Sequence, residues 1–428
     1  MLTFHISKSR ILQLFMVILI SLSTLKVCAQ KRDTLSLSLS QMETRFIQNN
    51  LKLMAQHYNI DKASAELITS KLFSNPTFSF SNGLYTKSRD TNVFSQQTYG
   101  ISQLLLTAGK RNKGIQLAKL NLENARHDFF DLLRTLKFSL RSNFFNLYFL
   151  EKSIHLYEQE IRALQKTLQG FKLLYQKGNI SQKEVLRIQS LVYSIQTDQV
   201  NLVTQTNTLQ GELRQLIGAD KKMVIKPVFP IEMTINIQIA KIPYQTLLDS
   251  ALLNRQDLKM ARSNINYNGL NLRLQKAIAY PDITFSLNYD KKAGYGLKYI
   301  SGGIAIGLPV FNRNQGNIRL ARVALDQSKV LLQEQQNAIE NELLSSYEDA
   351  MKLENIYNTL DPKFKNDYER LITEVYKNYE KRNISLVEFL DLYTSFKANV
   401  IQTNNLQLQR INSLEKLNFL TASQFYNP

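Results

Sequence analysis

One succession of residues occurs twice in this chain, about two hundred positions apart, and that duplication limits what the chain can become. Ile115-Gln-Leu-Ala118 returns as Ile318-Arg-Leu-Ala321, and Tyr175-Gln-Lys-Gly-Asn-Ile-Ser181 returns as Tyr379-Glu-Lys-Arg-Asn-Ile-Ser385. Matched pairs lie between 203 residues (Ile115 to Ile318) and 205 residues (Pro76 to Pro281) apart. The chain is therefore read as a first repeat over 30–218, a linker over 219–242 and a second repeat over 243–428.

Each repeat follows one plan: helix, β-hairpin, very long helix, tight turn, return helix. In the second hairpin, 281–310, residues alternate from Ile283 so that Ile283, Phe285, Leu287 and Tyr289 share one face and short polar groups share the other. After the polar turn Lys291 to Gly296, Ile304, Ile306, Leu308 and Val310 follow the same alternation. The first hairpin, 76–107, repeats this with Phe78, Phe80 and Leu84, then Tyr99, Ile101 and Gln103.

The first long helix, 108–177, has no proline. It carries Leu133, Leu140, Leu147, Ile154, Ile161, Leu168 and Tyr175 at seven-residue spacing. A second register, Leu136, Leu150, Tyr157, Leu164 and Phe171, is broken only by Asn143, so the pattern is that of a left-handed supercoil. At roughly 1.5 Å per residue such a helix spans about 100 Å. Gly178-Asn179 ends it, and Ser181 with Glu184 three residues on forms a capping box for the return helix 181–217.

Leading helices are expected over 40–73 and 243–279, the latter with Pro243 in its first turn. Leading and return helices together match the long helix in length, so they can stack end to end along it. In the second repeat the long helix, 314–378, meets Asp361-Pro362, which should kink it or split it with Asp361 as a new N-cap. The return helix covers 385–423. Within the linker, alternating Ile231, Met233, Ile235, Ile237 and Ile239 predict a short strand.

Residues 1–29 have a basic start (Lys8, Arg10), an apolar run from Ile11 to Leu22 and a small-residue site at Val27-Cys28-Ala29, the parts of an export signal. Leu25-Lys-Val-Cys28 is a poor lipoprotein signal, because Lys26 and Val27 stand where small residues are expected. Cys28 is the only cysteine, so cleavage after Ala29 leaves a mature chain without disulfides or thiolate metal sites. The net charge of +18 falls to +15 with loss of Lys8, Arg10 and Lys26. The remaining cations are dispersed among Asn and Gln with no basic block, which is a solvated helix surface and not a nucleic-acid footprint.

No other stretch has the eighteen or so apolar residues of a spanning helix, so a membrane role must fall to the strands. Tryptophan is absent, which leaves Tyr85, Tyr99, Tyr289, Tyr295 and Tyr299 to form any interfacial belt. Two hairpins supply four strands, too few to close a barrel, and open edges are not tolerated in hydrocarbon. The chain must then pool strands with copies of itself, and three copies give twelve, an even number in the range of outer-membrane barrels. The fold class is mainly α, a long helical coiled-coil barrel joined to a shared transmembrane β-barrel.

These features resemble the TolC family of outer-membrane efflux proteins over nearly the whole mature chain. Leu308-Pro-Val-Phe-Asn-Arg-Asn-Gln-Gly-Asn-Ile318 is similar to a signature of its cation-efflux branch. Ala251-Leu-Leu-Asn-Arg-Gln-Asp-Leu258 parallels a second motif, with Gln256 where proline is usual. The resemblance implies a homotrimer in outer-membrane lipid that meets a periplasmic adaptor and an inner-membrane pump and passes substrates out of the cell.

It also implies roles for residues beside the tip turns. Glu388 and Asp391 fall where the family places inward acidic residues, three copies of each making carboxylate rings that concentrate cations; the alternative is simple favour for a helix N-terminus. Tyr379 and Glu184 fall on positions of a hydrogen-bonded lock between the helix pairs. Ile384 stands where some members have a lock-forming arginine, with Arg382 and Arg187 as substitutes. Adaptor contact is expected at Gly178, Asn179, Ile180 and Ser181 and at Arg382, Asn383, Ile384 and Ser385.

Nothing reads as enzymatic and no cofactor is expected. His57, His127 and His155 are isolated, no H-E-x-x-H, P-loop or G-x-G-x-x-G is present, and no nucleophile has a histidine and an orienting acid. Two competing readings remain at this level: a periplasmic coiled-coil scaffold whose hairpins are core strands, and a duct for type I protein secretion. The polar face kept by both hairpins weighs against the scaffold. The substrate, metal cation or other small molecule, is open.

Overall fold

The computed structural model describes residues 33–83, 97–230, 238–293, 296–361, 363–381 and 383–427. The export signal, Leu84, Tyr85, Tyr295, the strand expected over 231–237, Pro362 and Arg382 lie outside the described residues. The first repeat runs β1 (Thr34–Ser38), α1 (Leu39–Asn49), α2 (Leu51–Ser70), β2 (Thr77–Asn82), β3 (Gln97–Leu105), α3 (Lys110–Gln176) and α4 (Gln182–Ile217). After β4 (Val224–Val228), the second runs α5 (Tyr244–Asn254), α6 (Gln256–Ile278), β5 (Ile283–Ala293), β6 (Gly296–Ile306), α7 (Gln315–Thr359), α8 (Phe364–Glu380) and α9 (Leu386–Thr421). Ile239, where the linker strand was expected to end, begins a short 3-10 turn.

Both leading helices are broken where a single helix is expected. Asn50 is extended (φ −72, ψ 110), and its Oδ1 accepts the Leu53 N–H at 2.8 Å, capping α2. Its Nδ2 donates to the Leu216 carbonyl at 2.9 Å, so the break is built against the end of α4. Gly218 closes α4 at φ +62, where an added Cβ would lie 2.9 Å from the Asn49 carbonyl oxygen, and only glycine fits both demands. In the second repeat Arg255 makes the break (φ −61, ψ 126), while Ser250 Oγ donates to the Thr421 carbonyl at 3.2 Å and Asn254 Nδ2 donates to Ser423 Oγ at 3.0 Å. Each leading helix thus meets a return helix end to end. The two long helices begin alike: Arg111 donates to the Lys71 carbonyl, and Asn314 Nδ2 donates to the Gln275 carbonyl at 2.8 Å.

The interruption at Asp361 is also present. α7 ends at Thr359 and α8 begins at Phe364 with Lys363 at its N-cap, so Asp361 is not the cap residue; its Oδ1 accepts the Lys363 N–H at 2.8 Å.

β2, β3, β5 and β6 form one antiparallel sheet in that order, which joins the hairpins of the two repeats edge to edge. The register pairs Phe78 with Ile101, Phe80 with Tyr99, Ile101 with Leu287, and Phe285 with Ile304, so one face is apolar across four strands. The other carries Ser79, Gly100, Asn288 and Ser301 in one row and Ser102, Ser286 and Gly303 in the next. Gln103, on the apolar face, turns its amide to the Ser74 carbonyl at 2.8 Å. Tyr99 and Tyr289 are neighbours on the apolar face (6.3 Å between rings), but Tyr299 pairs with Asp290 and so belongs to the polar face, not to a lipid-facing belt.

β1 and β4 pair in parallel, apart from that sheet. Beside them Met42, Phe46, Phe144, Phe145, Leu213 and Ile225 form one core, and Leu247, Leu258, Leu343, Leu414 and Leu417 form its counterpart in the second repeat. Arg141 of α3 joins the two: it binds Glu415 of α9 through two bonds of 2.6 Å and Glu43 of α1 at 2.6 Å. A third core packs α3 and α4 against α8 and α9 near the tip turns, around Ile161, Leu164, Ile188, Ile195, Phe389 and Tyr393.

Candidate functional site

The two tip turns close by the same bond. The Asn179 N–H donates to the Leu174 carbonyl and the Asn383 N–H to the Asn378 carbonyl, each at 2.9 Å, the six-to-one bond of a Schellman ending. Gly178 takes φ +75 in the first turn. Ser181 and Ser385 then cap the return helices, which makes Glu184 and Glu388 equivalent third residues of their helices.

Their carboxylates are used differently. Glu184 folds back on its own cap, accepting the Ser181 N–H at 2.9 Å and the Ser181 hydroxyl at 3.2 Å. Ser385 Oγ accepts the Glu388 N–H at 3.2 Å, but the Glu388 carboxylate has no partner among the described residues and is exposed. Asp391, one turn on, is exposed on the same side, while Leu386 and Phe389 face the core.

Between the turns lies a cavity of about 490 Å3 lined by Phe171, Asn179, Glu184, Tyr379, Ile384 and Ser385 among others. The fold therefore brings Glu184 and Tyr379 to one place, and Asn179, Ile180, Ile384 and Ser385 with them. It does not bond the pair. The Tyr379 ring is stacked on Phe389 (4.3 Å, 12°) and on Phe171 (5.4 Å, 26°), and its hydroxyl is buried without a hydrogen-bond partner among the described residues. Burial first, and then the nearby Glu184 charge, push the Tyr379 phenol far above its ordinary range, so it stays neutral. Arg187 is exposed and is not among the residues that line the cavity.

Sequence reasoning missed a second polar group in the same core. Glu160 of α3 faces Tyr376 of α8 and Tyr393 of α9, and burial raises its carboxyl above the ordinary range, with Tyr393, Tyr376 and Lys397 pulling the other way. Glu160 stands directly before the seam residue Ile161, a position that reads as an ordinary flank of a coiled coil. No helix among the described residues is long and apolar enough to cross a membrane, and no group of histidine, cysteine and acidic residues among them is arranged to hold a metal ion.

Long paired helices, a two-faced sheet shared by two repeats and a tip cavity define the fold of a TolC-like channel. The sequence matches the outer membrane efflux protein family over residues 44–219 and 247–423, and the chain belongs to that family, one of efflux proteins and not of enzymes. The fold is similar to the CmeC outer membrane channel of Campylobacter jejuni, at 16% identity and a TM-score of 0.74, covering 91% of this chain and 87% of that one. It is also similar to the MtrE outer membrane channel of Neisseria gonorrhoeae in its open state (16% identity, TM-score 0.72, 90% and 89% covered). A third likeness is to the outer membrane protein VceC of Vibrio cholerae (14% identity, TM-score 0.71, 91% and 97% covered). No curated protein matches the sequence.

Proposed function

We propose that this chain is the outer-membrane exit duct of a tripartite efflux system in a Gram-negative bacterium. Three copies pool their strands into one twelve-stranded barrel, and the helices continue the tube through the periplasm to an adaptor protein and an inner-membrane pump. The observation that carries this reading is the four-stranded sheet with one apolar face, one small polar face and a single neighbour for each outer strand, β2 and β6. A sheet of that kind is stable in hydrocarbon only if other copies close it. Gly100 and Gly303 support a lumen on the polar face: an added Cβ would come within 2.6 Å of Ser79 Oγ and 2.8 Å of Ser286 Oγ, so small residues are packed there in register.

In this reading residues 1–29 are the removed signal, 30–218 and 243–428 the repeats and 219–242 the equatorial linker. Glu388 and Asp391 line the periplasmic mouth as two carboxylate rings, suited to metal cations or small cationic molecules. Gly178 to Ser181 and Arg382 to Ser385 meet the adaptor, and Tyr379, its ring stacked on Phe171 and Phe389 beside Glu184, forms the lock at the mouth. The test is native mass spectrometry of protein extracted from separated outer membranes. A trimer in that fraction is expected; a soluble monomer or dimer would overturn the duct.

A further inference from the structure

Glu160 stands on α3 between the seam residues Tyr157 and Ile161, its Oε2 shielded from solvent beside Tyr376 and Tyr393 of the core where the two helical hairpins meet. Across from it stand Tyr376 and Tyr393, whose rings are 6.2 Å apart; Tyr393 is fully buried. Glu160 Oε2 and both phenol oxygens are shielded from solvent, and none has a fully formed hydrogen bond among the described residues, although both phenols lie near enough to act on the carboxyl. Polar atoms buried this way are costly unless they satisfy one another.

The other titratable and charged groups near them come from α3, α4 and α9. Tyr157 shares α3 with Glu160. Lys397 of α9 lies 5.3 Å from the Tyr157 ring centre and is tied to Asp198 of α4 at 2.8 Å, so its charge is already shared.

We propose that Glu160, with Tyr376 and Tyr393, is a proton-operated clasp that fastens the first helical hairpin to the second, set back from the tip turns. It rests on the duct reading and adds a means of regulating the same periplasmic end. With the hairpins together, burial favours the neutral acid form of Glu160, placed to exchange hydrogen bonds with the two phenols. When the hairpins part, the carboxyl enters water and its proton passes to solvent. Burial lifts its pKa above the ordinary 4.5 in the closed arrangement, so the closed state binds the proton more tightly. By linkage, closure is favoured at acid pH and is lost as the pH rises from the ordinary value through the raised one. Each unit of that rise shifts the closing equilibrium about tenfold.

The experiment compares the full-length wild type, Glu160→Gln and the double variant Tyr376→Phe with Tyr393→Phe. Each is tested by single-channel conductance in planar bilayers and by hydrogen exchange of residues 370–396, at about pH 5 and about pH 7.5 with intrinsic exchange corrected. The wild type is expected to exchange and conduct at least severalfold more at the higher pH. Glu160→Gln, permanently neutral and still able to hydrogen-bond, is expected to stay closed at both. The double Phe variant, which keeps the rings and loses only the hydroxyls, is expected to exchange faster than the wild type at the lower pH. A pH response in hydrogen exchange that is identical in wild type and Glu160→Gln would overturn the clasp. Absence of any channel alongside the expected exchange pattern would overturn the duct and leave the clasp standing.

Discussion

At Tyr379 the ring and the hydroxyl contribute separately. The ring sits between Phe389 and Phe171, while the hydroxyl is buried without a partner among the described residues. Replacing a buried unpaired hydroxyl by hydrogen is close to neutral, whereas removing a stacked ring leaves a cavity. Tyr379→Phe is therefore expected to keep closed-state conductance near the wild-type value, and Tyr379→Ala to raise it severalfold. Equal leak from both variants in planar bilayers would instead give the lock to the hydroxyl and Glu184. Glu388 and Asp391 are exposed on one side of α9, so Glu388→Ala with Asp391→Ala should reduce cation preference; an unchanged reversal potential under a salt gradient would remove them from the pore. Arg141 and Glu415 are a buried pair, with Glu415 only 2% exposed. Glu415→Ala leaves the guanidinium without its main partner, at a cost of about 3–5 kcal/mol, read as a lowered denaturation midpoint. The tip-turn residues were legible from the repeated Asn-Ile-Ser. The Arg141 pair, whose members are 274 residues apart, was not, because no local pattern announces it.

Among the elements, the long helix follows most directly from its heptads. Leu140, Leu147 and Ile161 are buried as the seam requires, while Tyr175 at its end is exposed in the single chain. The leading helices show the limit of periodicity: Asn50 and Arg255 leave the apolar pattern intact, and the break appears only once the return helices press on those positions. In the sheet, alternation predicted the two faces strand by strand, and cross-strand register then aligned them into one apolar surface. Leu287 lies on that surface and is largely exposed. Leu287→Arg is expected to destabilise the barrel by about 2–4 kcal/mol if the position is near the bilayer midplane, and by about 0–1 at its margin. Chemical unfolding in liposomes measures the difference, and Ser81→Arg on the polar face serves as the comparison.

For the whole molecule, the single chain leaves surfaces that only assembly would cover. On α4, Leu186, Tyr193 and Val200 recur at seven-residue spacing and are 56%, 59% and 62% exposed, an apolar stripe facing away from the core. If three copies pack side by side, that stripe is expected to fall in the contact between them. Tyr193→Asp should lower the trimer fraction in native mass spectra while leaving helix content unchanged by circular dichroism. A trimer as abundant as in the wild type would place the stripe elsewhere.

The sequence by itself determined what depends on local period and local chemistry. The repeat, the two-faced strands, the coiled-coil seam and the serine caps after each tip turn are all written within a few residues of where they act. Tertiary structure alone decided what depends on which partner each residue meets, most of them more than a hundred residues away. It set the breaks at Asn50 and Arg255, the register that moves Tyr299 to the polar face, the Arg141 to Glu415 tie and the meeting of Glu160 with Tyr376 and Tyr393. The physical reason is that periodicity says which face of an element is apolar, whereas the pairing of buried polar groups depends on which faces are brought together.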